Sequence, residues 1–189
     1  MPPKAKFTKE EIIEAALAIT RQDGLEAVTA RELGSRLNSS ARPVFTVFQN
    51  MEEVIEEVKN AARERYKEYI YEGLQEEPAF KGVGRAYIRF AVEEKRLFRL
   101  LFMSEQEEKN GIEGILSIID ENYETILESL MNGYGLQEKE ALKLYQNIWI
   151  YTHGIASLCV TGVCLFTQEE IDDMLTDVFI SLLKKTKGV

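Results

Sequence analysis

The stretch TARELGSRLNSSARPVFTVF, residues 29–48, decides the fold prediction for this chain. Its first four residues form a capping box, in which the Thr29 oxygen bonds an orphan amide while Glu32 reaches back to the start of the helix. Leu33 and Leu37 follow at helical spacing, so they place an apolar face on a short helix. This pattern predicts a helix from about residue 30 to residue 37.

A second short helix is expected after a turn that starts at Asn38, a residue type that tolerates the left-handed conformation such turns need. Ser40 can cap the helix predicted from Ala41 to Phe48, and Pro43 is tolerated in its first turn. Gly34 permits close contact with the neighbouring helix. Two short helices joined by a tight turn are typical of a helix-turn-helix unit, whose last helix can enter the major groove of DNA. The same periodicity also fits any small helical bundle.

An earlier helix completes a three-helix head. The residues Thr8 to Glu11 form a further capping box, and Ile12, Ala16 and Ile19 recur behind it at helical spacing. Gly24 is a natural helix stop. The head therefore has the composition of a small helical domain.

Composition and charge limit the function classes. The chain has 189 residues, a net charge of −9 and 45% hydrophobic residues, which allows one large domain or a small domain fused to a medium one. Residues 1–50 carry seven Lys or Arg and six Asp or Glu, whereas the rest carries 16 and 26, so a polyanion is expected to meet the head. Two cysteines and one histidine provide neither a disulfide framework nor a His-rich metal site, and they favour a cytoplasmic location.

An uncharged run at residues 148–166 is long enough to span a bilayer. Gly154 and Gly162 interrupt it, polar residues lie within it, and no basic cluster flanks it. A buried central helix or a dimer-forming helix has the same composition, and we expect that alternative and no membrane contact.

The rest of the chain predicts helices and no strand, so the expected fold class is all-α. The predicted body helices cover residues 51–76, 79–94, 95–103, 112–130, 137–162 and 168–186. No Gly-rich phosphate loop, nucleophile motif or metal pattern is present, so we expect neither an enzyme nor a cofactor.

The segments of the head, taken together, resemble the DNA-binding domain of TetR-family transcriptional regulators over Phe7 to Val54. The segments that carry the resemblance are IIEAA at 12–16, DGLEAVT at 23–29, RELG at 31–34, LNSS at 37–40, PVFTVF at 43–48 and NMEEV at 50–54. Residues 86–91 and 97–103, with Trp149-Ile-Tyr-Thr-His-Gly154, further resemble the subgroup whose C-terminal domain carries a Trp-His-Gly signature.

The resemblance implies a helix-turn-helix DNA-binding domain at residues 1–52 and a helical-bundle ligand-binding and dimerisation domain at residues 53–189. It implies a repressor that binds a palindromic operator as a homodimer and is released by a small molecule. Residues 137–162 and 168–186 would form the dimer interface. The residues it assigns to DNA are Thr29, Ser40, Ala41, Arg42, Phe45 and Thr46.

Four positions depart from the family pattern, which usually has Gly at Asn38, Tyr at Phe45, His or Tyr at Val47 and Lys at Met51. Each loss of a phosphate contact lowers salt-dependent affinity for DNA. DNA binding then depends more on the head's early lysines (Lys4, Lys6 and Lys9), although such a tail can also be a disordered, solubilising end. The alternative function is a helical dimer that binds a small molecule or protein and has lost specific DNA binding.

Aromatic and polar residues of the body are candidates for an effector pocket, because helical bundles place ligands between helices. The candidates are Tyr87, Phe90, Phe98, Phe102, Met103, Tyr123, Trp149 and His153. Aromatic stripes at helical spacing are also ordinary core, and His153 can bond a neighbouring carbonyl instead of a ligand. Cys159 and Cys164 do not have zinc spacing and are either buried thiols or a redox pair.

Overall fold

The computed structural model describes residues 6–104, 116 and 122–188, and every regular element within these ranges is a helix. The prediction of an all-α fold is therefore confirmed. Eight α-helices have described bounds: α1 (Lys9–Asp23), α2 (Ala30–Arg36), α3 (Met51–Leu74), α4 (Ala79–Glu93), α5 (Lys95–Phe102), α6 (Tyr123–Tyr134), α7 (Glu138–Thr161) and α8 (Gln168–Lys187). Two short 3₁₀ helices cover Leu25–Ala27 and Val44–Thr46.

The chain divides into two compact units. The first comprises residues 1–65 and 94–104, and the second comprises residues 66–93 and 105–189. Helix α3 contributes residues to both. The predicted functional boundary between residues 52 and 53 stays a prediction, because a division by packing does not show which residues bind DNA or ligand.

The first unit follows its capping signal fully at α1 and only in part at α2, where Thr29 caps the helix but Glu32 does not bond back to the Thr29 amide. Thr8 Oγ1 accepts from the Glu11 amide at 3.2 Å, and the Glu11 carboxylate accepts from the Thr8 amide at 2.8 Å, which completes the predicted capping box. Ile12, Leu33 and Phe48 are among the buried side chains of its core. Gly24 ends α1 with a φ of 98°, a conformation that favours glycine.

The prediction of a helix from Ala41 to Phe48 is wrong. The segment contains a single 3₁₀ turn, Val44–Thr46. The N-cap position of this turn is Pro43, so Ser40 does not cap a helix here. Three reasons are local: Pro43 disfavours the α conformation at the preceding residue, the β-branched residues around Phe45 disfavour an α-helix, and Thr46 Oγ1 donates to the Pro43 carbonyl at 2.6 Å.

The second unit packs its helices around α7. Helix α4 packs most extensively against α7, and α7 also packs against α6 and α8. Arg85 of α4 donates two hydrogen bonds to Asp172 of α8, at 2.5 and 2.6 Å, and thereby joins those helices. A capping box of Thr167 and Glu170 starts α8.

Two predicted features of the body depend on which residues are described. Helix α6 matches the second half of the helix predicted at residues 112–130, whereas most of its first half lies outside the described residues. Within the ranges that are described, no helix combines the length and the apolar character needed to cross a membrane.

Candidate functional site

The segment after α2 presents a set of exposed side chains. Arg42, Phe45 and Thr46 are all exposed, and Phe45 keeps 48% of its surface accessible although it is aromatic. Arg42 forms no ion pair with any residue in the described ranges. Ala41 is half-buried because the backbone there lies against Gly34, where an added Cβ would be 2.8 Å from the Ala41 nitrogen. The predicted close contact at Gly34 is therefore present, and it fixes the position of the backbone just before Arg42.

Other predicted DNA contacts lie at the ends of the same short elements. Thr29 is the exposed N-cap of α2, and its Oγ1 accepts from the Glu32 amide at 3.2 Å. Ser40 is exposed, and its neighbour Ser39 accepts a hydrogen bond from Lys6 Nζ at 3.0 Å.

The departures from the family pattern have definite structural places. Asn38 has a φ of 49°, the left-handed conformation that the sequence predicts for it. Met51 is half-buried and packs against the core of the first unit, so this position does not offer a side chain to a phosphate. Lys9 is paired with Glu57 at 2.6 Å, which raises the pKa of Lys9 and lowers that of Glu57. Among the early lysines with described positions, Lys6 is therefore the one that lies beside the exposed segment.

The second unit contains a cavity between α3, α4 and α7. The cavity opens to solvent, and its volume of about 20 Å³ has room for a single water molecule. Tyrosine, phenylalanine and tryptophan rings dominate its walls. It is lined by Tyr66, Phe80, Val83, Gly84, Tyr87, Tyr145, Ile148, Trp149 and Thr152.

A tyrosine and a histidine form a polar pair beside this cavity. The Tyr87 hydroxyl lies 2.9 Å from His153 Nδ1, and the His153 ring stacks on Trp149 with centroids 5.2 Å apart. Burial lowers the pKa of His153 below its usual value, because the imidazolium would lose hydration there. The pair is therefore a neutral imidazole and a phenol, which exchange one hydrogen bond.

The predicted ligand residues are divided between the two units. Phe90 packs against Tyr66 and Tyr69, and Tyr123 stacks on Tyr145, whose ring lines the cavity. Phe98, Phe102 and Met103 belong to the first unit and are not among the residues that line this cavity. Phe98 is fully buried beside Phe102, whereas Met103 is exposed.

Seven of the nine lining residues are absent from the ligand residues predicted from the sequence. Helical spacing could have located most of them. Phe80, Val83 and Gly84 precede Tyr87 by seven, four and three residues and therefore share its face of α4. Tyr145 lies four residues before Trp149 and Thr152 three residues after it, so both share its face of α7, whereas Ile148 directly precedes Trp149 and is not found by this spacing. Tyr66 of α3 could not be found in this way, because periodicity does not show which helices meet.

Most of this second unit matches a known domain. Residues 80–181 match the family model described as a tetracyclin repressor-like, C-terminal domain. The chain belongs to the TetR family. Its membership confirms the family that the sequence resembles, while the Trp-His-Gly subgroup stays a prediction.

A solved structure of another TetR protein supports the fold of this TetR-family chain over its whole length. A TetR variant from Acinetobacter baumannii AYE, in complex with minocycline, is 18% identical, with a TM-score of 0.52 over 97% of this chain and 96% of that one. At this identity the likeness concerns the fold, which joins an N-terminal helix-turn-helix region to a helical C-terminal region. No curated protein matches the sequence.

Proposed function

We propose that this TetR-family protein is a cytoplasmic, ligand-responsive repressor that binds a palindromic operator as a homodimer. The observation that carries the proposal is the segment at residues 40–46, which exposes Arg42, Phe45 and Thr46 and offers Arg42 without an ion-pair partner in the described ranges. An arginine in this position suits the O6 and N7 atoms of guanine, and the exposed Phe45 ring suits a thymine methyl group. Thr29, Ser40, Ala41 and Thr46 would contact phosphates or the groove wall.

The proposed dimer uses apolar surface on α7 and α8. Ile150 and Leu158 of α7 and Ile180 of α8 are large apolar side chains that remain exposed in a single chain. Ile150, Gly154 and Leu158 follow each other at four-residue spacing on one face, and an added Cβ at Gly154 would meet open space. A two-fold interface on this face would cover these side chains and bring two DNA-binding segments to one operator.

Release by a small molecule would act through α3. Tyr66 near the middle of α3 lines the cavity, whereas Val54 and Val58 of the same helix belong to the core of the first unit. A ligand that displaces Tyr66 therefore acts on a helix that also supports the DNA-binding unit. Half-sites on one face of DNA lie about 34–36 Å apart, so a modest displacement lowers affinity for the operator.

The DNA-binding proposal is tested by selecting fragments of the source genome on the purified full-length protein at moderate salt. We expect a two-fold symmetric site, loss of its enrichment with Arg42→Ala, and retention with Arg63→Ala, a matched exposed arginine that bonds Asn60 on α3. Affinity for the site should fall steeply with salt. A folded dimer that enriches no fragment, or a salt slope near zero, would contradict operator binding and favour a dimer that has lost it.

The dimer is tested by sedimentation of two aspartate variants. Ile150 and Val92 have similar exposures of 52% and 44%, but only Ile150 lies on the proposed interface. We expect Ile150→Asp to shift the protein toward monomer and Val92→Asp to leave a dimer. An equal effect of both variants would place the interface elsewhere.

A further inference from the structure

We propose that the cavity of the second unit takes a neutral aromatic molecule that carries a single hydrogen-bonding group. The inference rests on the proposed function, because it treats this cavity as the effector site. It adds the chemical class of the ligand, which family membership does not give.

The described residues of the cavity wall favour a neutral ligand over an ionic one. None of the nine described residues that line it is charged. Arg85 follows the lining residue Gly84 directly, but its guanidinium is held by Asp172 and by Glu76, the latter at 3.0 Å. A charged ligand would therefore lose its hydration without gaining an opposite charge from these groups.

The shape and chemistry of the wall favour an aromatic ring. Phe80 meets Tyr145 edge to face with centroids 5.6 Å apart, and Tyr66 meets Tyr87 in the same way at 6.1 Å. A flat ring can continue these packing geometries, which are more favourable than aliphatic contact of the same area. The present volume of about 20 Å³ admits a single water molecule, so a ligand ring must displace side chains of the wall as it enters.

We assign the hydrogen-bonding group of the ligand to the pair that the lining residue Tyr87 forms with His153. Thr152 Oγ1 donates to the Ile148 carbonyl at 2.8 Å, so its proton is used within α7. The Tyr87 hydroxyl and His153 Nδ1 share a hydrogen bond beside the ring faces. A ligand hydroxyl can insert at this pair as both donor and acceptor, which satisfies all three groups without a charge.

The test uses three probes of one shape and different charge: para-ethylphenol, para-ethylbenzoate and para-ethylbenzylammonium. Trp149 is the single tryptophan of the sequence, so its fluorescence reports directly on the cavity, and calorimetry of the full-length protein gives the affinities. We expect para-ethylphenol to bind at least about tenfold more tightly than either ion. Failure of para-ethylphenol to bind, or equal or tighter binding of the anion or of a cation held by the ring faces, would overturn the proposal.

A pair of tyrosine variants tests the hydrogen-bonding group. Tyr87→Phe should weaken para-ethylphenol about two- to tenfold and leave para-ethyltoluene, which lacks the hydroxyl, unchanged. Tyr71→Phe is the matched control, because Tyr71 is an exposed tyrosine of α3 away from the cavity. Equal weakening of both probes by Tyr87→Phe would contradict the assigned hydroxyl contact. If Tyr87→Phe does not fold, the preference of the unaltered protein between neutral and charged probes still decides the ligand class.

Fragment selection on the same protein separates this proposal from the proposed function. A protein that enriches an operator but prefers a charged probe retains the regulator function and overturns the ligand class. A protein that binds para-ethylphenol selectively but enriches no DNA retains the ligand class and overturns the regulator function.

Discussion

Glu94 in the first unit and His153 in the second can both carry a charge, yet their surroundings differ. The Glu94 side chain is only 3% exposed, and Arg21 donates to its two oxygens at 2.6 and 2.8 Å, with Arg65 at 3.6 Å. His153 shares one hydrogen bond with an uncharged phenol and stacks on an indole. The first unit therefore buries a charge by supplying opposite charges, whereas the second keeps its polar group neutral.

This difference indicates separate tasks for the two regions. Glu94 is the N-cap residue of α5, and its two arginines come from α1 and α3, so one carboxylate joins three helices of the first unit. The polar pair of the second unit lies beside a cavity whose described walls have no charge. A fixed charge network suits the DNA-contacting surface proposed for the first unit, and a neutral pair suits the ligand cavity proposed for the second.

The largest effect is expected when the second unit is given an unpartnered charge. Thr152 is buried and lines the cavity, so Thr152→Asp should lower the free energy of unfolding by about 3–5 kcal/mol. Thr152→Val is the matched control and should change it by less than about 1 kcal/mol, because the lost hydroxyl bonded only its own helix. Urea unfolding followed by circular dichroism measures both. Equal stability of the two variants would mean that a partner for the new carboxylate exists near the cavity.

A smaller decrease in the free energy of unfolding is expected when the first unit loses one of the arginines that pair with Glu94. Arg21→Ala should cost about 2–3 kcal/mol, because the buried Glu94 carboxylate then keeps only the more distant Arg65. Lys59→Ala removes a pair of the same 2.6 Å length, to Glu56, from the surface and should cost less than about 1 kcal/mol. The comparison of the two variants by urea unfolding shows whether burial of the ion pair determines how much free energy of unfolding is lost. Similar losses in both would contradict a buried role for Glu94.

Sequence signals located the helices well wherever a local interaction ends them. The helix predicted at residues 137–162 is observed at Glu138–Thr161, because Gly162 ends it in the left-handed conformation. The helix prediction for residues 41–48 failed for an equally local reason. Apolar spacing predicted a helix, but Pro43 and Thr46 favour a 3₁₀ turn. A helix prediction should therefore weigh capping and backbone competition above apolar spacing in segments this short.

The candidate cavity was only partly predictable, because spacing gives the face of a helix and not the partner of that face. Tyr87 and Trp149 were identified and do line the cavity, whereas Phe98 was identified on the same grounds and is a buried residue of the first unit. In the sequence, aromatic residues that line a cavity and aromatic residues that are buried in a core follow the same helical spacing. Only the packing of α4 on α7 separates cavity wall from core.

A change of about 1 kcal/mol is expected when the neutral pair loses its hydrogen bond. Tyr87→Phe leaves His153 Nδ1 without the hydroxyl that lies 2.9 Å away, and a neutral hydrogen bond contributes about this much. Tyr71→Phe, at an exposed site, should leave the free energy of unfolding unchanged. Thermal and urea unfolding of both variants measure the difference. An equally stable Tyr87→Phe protein would contradict a contribution of this hydrogen bond to stability.

The smallest effect is the pH dependence of the same pair. Burial lowers the pKa of His153 below 6.5, so the folded state binds its proton less readily than the unfolded state. The stability that the neutral ring contributes is complete above the unfolded pKa and decreases as pH falls through it toward the lowered value. Because the sequence has one histidine, the loss of stability from about pH 7.5 to about pH 5.5 should be smaller in His153→Gln than in the unaltered protein. The carboxylates titrate in both proteins and cancel in this difference. Equal losses would mean that the imidazole is as well hydrated in the folded state as in the unfolded chain, and the comparison with Glu94 would then fail.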